Sequence, residues 1–400
     1  MKKLKAFLTI IAFAALLPSK AFADNSQFHI TQPHPRLFLS KGGEKEIKKK
    51  IAANDFLKRA HNAIIANSKQ ILEEPPVEFE PISDLFLRVA RTAFERIYYL
   101  SYSYRMTGDK RYAERAKQEM LHVCRFDHWH PIHFLGVAEM TSALSIGYDW
   151  LYKELNEAEK KTITEAIIKK GLDESMPETV SNEAYLHWQK KRNNWNAVCN
   201  TGMALGAMVT YEINPERSRK IIQRSVERVK RMALDEYLPD GNYPEGYTYW
   251  SYGTAFAVIL INALENLYGT SFGMTDNPGF MATPFYILQM SAQNMGYFAY
   301  SDCGVSRSLS FPMFWFASRL NNQSLLWGEW DRLNVMQQRG DNDSKIYKVR
   351  FLPSVMLWAS ADTFKDLKKP EKRLYVGQGS TPVAIMRNHW GGKDELYVGL

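Results

Sequence analysis

Apolar positions recur with the 3.6-residue period of helices along most of the chain. Residues 83 to 106 (SDLFLRVARTAFERIYYLSYSYRM) carry apolar groups at i, i+3, i+4 and i+7 and stop at Thr107-Gly108-Asp109, where Gly108 suits a C-cap. Residues 110 to 124 begin the partner helix. The unit repeats at 134 to 153 with 157 to 171, where Asn156 suits an N-cap, and at 196 to 212 with 214 to 237 across Asn214-Pro215. A further helix is predicted over 248 to 268, ending at Gly269, with weaker helical pieces near 282 to 293, 311 to 320 and 322 to 329. Antiparallel helix hairpins in series predict an incomplete (α/α) toroid rather than a compact bundle.

Two stretches break this pattern. HPRLFLSK at 34 to 41 reads as an extended segment held by Pro33 and Pro35. Near the other end, TPVAIMRN at 381 to 388 and ELYVGL at 395 to 400 alternate as strands around Gly391-Gly392. A two-stranded hairpin is marginal alone, so a sheet domain is expected to start here and continue past Leu400. The fold class expected is mainly α, an (α/α) toroid over residues 24 to 370, followed over 371 to 400 by the first strands of an antiparallel β-sandwich.

The opening residues, MKKLKAFLTIIAFAALLPSKAFA, place lysines before an apolar run and small residues after it, the pattern of an export leader over 1 to 23. That run is shorter than the roughly 20 residues of a bilayer span, so no membrane span is expected and the periplasm is the expected compartment. The formal charge of +8 includes Lys2, Lys3, Lys5 and Lys20, and without them it falls to about +4, a mild excess that suits an anionic polymer and gives no reason to expect nucleic acid. The lysine-rich EKEIKKKI at 44 to 51 reads as a solvated helix face. Cys124, Cys199 and Cys303 are widely spaced and odd in number, which argues against a disulfide framework.

The densest chemistry lies in DGNYPEGYTYWSYG, residues 240 to 253, with four tyrosines, a tryptophan and Glu245 around a helix start. A core would not ask for so many hydroxyls there, because each buried phenol needs a partner. Tyr249 and Tyr252 stand at i and i+3, on one helical face. A second cluster, Arg192-Asn193-Asn194-Trp195-Asn196, precedes an apolar helix; N-capping explains one asparagine, not three. Neutral amide donors beside phenols suit β-elimination at a uronic acid: donors offset the carboxylate so that the neighbouring C5 proton becomes removable, and a tyrosine near cations can take it. No metal or organic cofactor is required. Trp129, Trp188, Trp195 and Trp250, at helix starts and loops, suit stacking on sugar rings, with core packing as the alternative.

HPRLFLS, HFLGVAEMTSALSIGYDWLY (133 to 152), NNWNAVCNTGM (193 to 203), DGNYPEGYTYWSYG and YSDCG (300 to 304) together resemble the heparinase II/III-like polysaccharide lyases over nearly all of the mature chain. The resemblance implies a toroid that supplies an Asn or His to neutralise the uronate carboxylate and, some 55 positions later, a catalytic Tyr. Asn194 and Tyr249 match that spacing best, with Asn196 and Tyr252 as a second register and Glu245 as a substrate contact. It implies an acidic polysaccharide of the heparin or heparan sulfate type, and it leaves room for a structural metal in the rest of a β-sandwich. The family's sandwich also carries a histidine-rich segment of the form NHGHLD, which this sequence lacks; His389 is assigned no role.

Competing readings stay open at this point. Asp127-His128-Trp129-His130-Pro131-Ile132-His133 has a metal-like density, but Trp129 and His133 are expected to touch sugar at the mouth of the toroid rather than to join a metal site. Asp149 and Asp302, with Glu139 or Glu245, would supply the two carboxylates of a glycoside hydrolase on the same scaffold. A non-catalytic carbohydrate-binding protein is the third reading.

Overall fold

The computed structural model describes residues 25–292, 296–304, 309–347, 349–392 and 394–400; the leader expected over residues 1–23 lies outside the described residues. The helices are α1 (Gly43–Ala53), α2 (Asp55–Leu72), α3 (Ser83–Thr107), α4 (Lys110–Cys124), α5 (Leu135–Trp150), α6 (Glu157–Ala166) and α7 (Asn194–Val209). They continue as α8 (Pro215–Arg228), α9 (Gly246–Tyr268), α10 (Pro278–Met290), α11 (Pro312–Arg319), α12 (Trp327–Gln338), α13 (Asp343–Ile346) and α14 (Leu352–Trp358).

Burial sorts these helices into two layers. Every residue of α5 is buried, and so is every residue of α7 except Trp195, whereas α4 and α8 keep a polar outer face. A helix apolar all round belongs inside, and an amphipathic one belongs at the surface. The inner helices pack in sequence, α3 on α5, α5 on α7, α7 on α9 and α9 on α11; α11 then meets α14, and α14 returns to α3. This is the expected (α/α) toroid, but not the incomplete one anticipated: among the described residues the ring closes through the short helices α11 and α14. Phe94 of α3, Phe256 of α9 and Phe351 just before α14 fill its middle, with ring centroids 5.2, 5.7 and 6.4 Å apart.

Helix ends follow the local signals. Gly108 takes φ 76° and its N–H reaches the Tyr104 carbonyl, closing α3. Asn156 and Glu159 form a reciprocal capping box at the start of α6. The outer helices depart from the simple period: α6 runs into π-helical turns at Ile167–Leu172 and α8 into others at Val229–Ala233, where the apolar spacing suggested unbroken helix.

The C-terminal sheet has one strand more than expected. β1 (Leu374–Gly377), β2 (Val383–Arg387) and β3 (Tyr397–Gly399) form an antiparallel sheet in that order, with Tyr375 opposite Ile385 and Met386 opposite Val398. Tyr375, Val383, Ile385 and Arg387 point inward. The buried Arg387 guanidinium donates to Glu395 and to the carbonyls of Gln289 and Ser291 at the end of α10. Asn242, in the loop before α9, donates to the carbonyls of Gln378 and Thr381 at 2.7 Å each. The sheet therefore anchors the loop that launches α9.

Among the described residues no helix is long and apolar enough to cross a membrane, and no group of His, Cys, Asp and Glu is placed to hold a metal ion. The three cysteines are free.

Candidate functional site

A cleft of about 740 Å³ opens at one end of the toroid. Its walls come from the N-terminal parts of the inner helices: Leu87 and Arg91 from α3, His133 and Leu135 at α5, Asn194 and Trp195 from α7, Tyr249 and Tyr252 from α9, and Leu309 and Phe311 before α11. Val349, Arg350 and Phe351, which lead into α14, complete it. The inner helices of a ring of hairpins run in one direction, so their starts gather at one mouth. The positive ends of the helix dipoles favour an anion there.

On one wall, Glu139 of α5 is fully buried and gathers three donors on Oε1: the Tyr252 hydroxyl at 2.8 Å, Arg350 Nη1 at 2.5 Å and Arg91 Nε at 3.3 Å. The Arg91 guanidinium also lies over the Tyr252 ring, 4.7 Å from its centroid. Burial, and then the Glu139 charge, push the Tyr252 phenol well up, against the pull of Arg91 and Arg350. Tyr252 is thereby a donor to Glu139 and a poor proton acceptor. Two guanidiniums and one carboxylate leave this wall with a net positive charge.

Facing it, Glu245 accepts from the Asn194 backbone N–H at 3.2 Å, from Asn194 Nδ2 at 3.1 and 3.3 Å, from Asn193 Nδ2 at 3.4 Å and from the Tyr243 hydroxyl at 3.2 Å. Asn194 lines the cleft with one amide hydrogen shared between the Glu245 oxygens and its buried Oδ1 without a hydrogen-bond partner. Tyr249 is half-buried and lines the cleft on the first turn of α9. His133 stands edge-on to Trp195, centroids 4.9 Å apart, with Nε2 3.8 Å from Asp84. Burial lowers its pKa below the ordinary histidine value; Asp84 opposes this, and Arg91 and His187 add to it.

Of the residues singled out from the sequence, Asn194, Tyr249, Tyr252 and His133 therefore share the cleft, with Glu245 behind Asn194. Three others lie elsewhere. Trp129 is fully buried with its indole N–H on the Val123 carbonyl, and Trp250 is fully buried with its N–H on Thr283 Oγ1 at 2.7 Å. Asn196 is enclosed and bonds the Lys191 carbonyl and Asn200. For these side chains the structure replaces the expected contact with sugar by core packing: Trp250 and Asn196 stand on inward faces of α9 and α7, and Trp129 lies in a loop with its indole turned into the core. Asp149 is also structural: it accepts from His34 and from the backbone N–H groups of Arg36 and Leu37, holding the HPRLFLS segment on α5. Asp302 is exposed.

Arg91 and Arg350 were not read as site residues, whereas Trp195, read as a stacking face for sugar, does line the cleft. Arg350 follows Tyr252 by nearly a hundred positions, and nothing in its own neighbourhood announces the cleft. The available signal was Glu139, a charge in the middle of the fully buried helix α5, which requires cations from elsewhere.

No protein-family model matches the chain, and no curated protein matches it. Among solved structures, the chain is similar to a Paenibacillus xanthan lyase at 11% sequence identity and a TM-score of 0.45, over 90% of this chain and 40% of that one. The chain thus spans less than half the length of that protein.

Proposed function

We propose that the protein is a lyase that cleaves a uronic-acid-containing polysaccharide by β-elimination, with a heparin or heparan sulfate type chain as leading substrate and the periplasm as its place of action. The observation that carries this reading is the joint placement of the Tyr249 phenol and the Arg91 and Arg350 guanidiniums in one cleft, at the mouth where the inner helices start. The family resemblance of the 193 to 203 and 240 to 253 segments points the same way.

In this scheme the polymer lies across the mouth with a uronate carboxylate drawn to its positive wall. Offsetting that charge acidifies the adjacent C5–H. Tyr249, as phenolate, takes the C5 proton; the C5–H electrons form the C4=C5 double bond, the C4–O4 bond breaks, and the new phenol returns the proton to the departing oxygen. Trp195, half-buried at the rim, offers a face for a neighbouring sugar. Hydrolysis would need two carboxylates facing the glycosidic bond, and here Glu139 is fully buried beneath the guanidiniums while Glu245 is tied to Asn194.

The test is the ultraviolet absorbance of the new double bond when the protein is incubated with heparan sulfate, chondroitin sulfate, hyaluronan or alginate. Tyr249→Phe is expected to lower kcat by about 10²- to 10⁴-fold. New reducing ends without that absorbance would mean a hydrolase, and saccharide binding without turnover would mean a binding protein.

A further inference from the structure

In the resemblance to known lyases, Asn194 neutralises the carboxylate. The geometry ties Asn194 elsewhere. One of its amide hydrogens is shared between the two Glu245 oxygens, at 3.1 and 3.3 Å, its backbone N–H also goes to Glu245, and its buried carbonyl oxygen Oδ1 would repel an anion. On the other wall, Arg350 and Arg91 each spend one N–H on Glu139, at 2.5 and 3.3 Å, and line the cleft with their remaining donors. Glu139 is fully buried, so it serves as a fixed brace rather than a competitor that swings into solvent.

We propose that Arg91 and Arg350, braced by Glu139, form the receptor for the uronate carboxylate, and that Asn194 instead positions Glu245. This assignment rests on the lyase reading for its chemistry. Placement favours a carboxylate over a sulfate. The carboxylate carbon is bonded to C5, so its receptor must stand beside the group that takes the C5 proton, whereas a sulfate on another carbon carries no such constraint. Tyr252, hydrogen-bonded to Glu139 beneath both guanidiniums, is one helical turn from Tyr249 on the same side of α9. Guanidinium forks also match the planar, two-oxygen shape of a carboxylate.

Three probes separate the sources: an unsulfated oligosaccharide of glucuronate and N-acetylglucosamine, its carboxyl-reduced counterpart, and its sulfated counterpart. The native protein is expected to bind the glucuronate form on the order of tenfold more tightly than the carboxyl-reduced form, and Arg91→Gln or Arg350→Gln to bring that ratio near one. The Arg91 side chain is 40% exposed, so Arg91→Gln keeps the fold even if Arg350→Gln loosens it, and thermal melts check both. A variant that keeps the native ratio, or a native protein with none, overturns the proposal. A loss confined to the sulfated probe overturns the carboxylate assignment. A ratio lost in the variants, with no double bond formed by the native protein, supports the receptor while removing the lyase reading.

Discussion

His133 sits where the cleft meets the edge of Trp195, and its surroundings decide its protonation. Burial disfavours the imidazolium, and Arg91 and His187 add to that, while Asp84 only partly opposes them. A histidine whose folded pKa lies below its unfolded value binds fewer protons folded than unfolded. It is neutral in both states at higher pH and withdraws stability as pH falls through the unfolded pKa. His133→Gln is therefore expected to lose less stability than the native protein between about pH 7 and about pH 5, read from urea midpoints. His61 and His130, whose pKa values are also lowered by burial, are common to both proteins and cancel in the comparison. Equal losses in the two proteins would show that the imidazole is not held neutral. For the site, the consequence is a neutral ring beside the cations at ordinary pH, so the wall does not gain a third positive charge.

The cleft exists because α5 and α7 lie close enough for their first turns to face each other. Gly202 makes that approach: a Cβ there would stand 2.6 Å from the Ala138 carbonyl oxygen and 2.9 Å from its Cα, both backbone atoms that a side chain rotation cannot relieve. Gly202→Ala is expected to cost roughly 2–3 kcal/mol in chemical denaturation and to lower binding in the cleft as Asn194 shifts away from α5. A stability unchanged within error would mean that the helices separate freely. This also marks where the sequence was readable. Hairpins and their caps follow from period and from residues such as Gly108 and Asn156, because those signals act within one turn. The buried helices α5, α7 and α9 carry no amphipathic phase to say which face looks where, and Trp129 lies in a loop, so Trp129, Trp250 and Asn196 read as well for the mouth as for the core. The Arg91–Glu139–Arg350 set joins α3, α5 and the approach to α14 and is a property of ring closure, which no local window contains.

Positive charge stands at both ends of the ring, in different settings. At one mouth the starts of α3, α5, α7, α9 and α11 converge with Arg91 and Arg350. Toward the opposite end, Lys50 of α1 donates to the carbonyls of Met356, Leu357 and Ala359 where α14 finishes, and the exposed Lys48 and Lys49 stand on the same short helix. Position rather than total charge should then govern attraction of an acidic polymer. Screening acts over about 10 Å at 0.1 M salt, so the field at an open mouth is strongly attenuated when salt rises. Raising sodium chloride from about 0.05 M to about 0.5 M is expected to weaken binding of a uronate oligosaccharide on the order of tenfold, mainly through a slower association rate. Arg91→Gln should flatten that dependence. Lys48→Gln with Lys49→Gln removes more charge at the other end and should leave it in place. If the double lysine variant flattens the salt dependence as much as Arg91→Gln does, attraction comes from net charge, and the gathering of helix starts has no part in drawing substrate to the cleft.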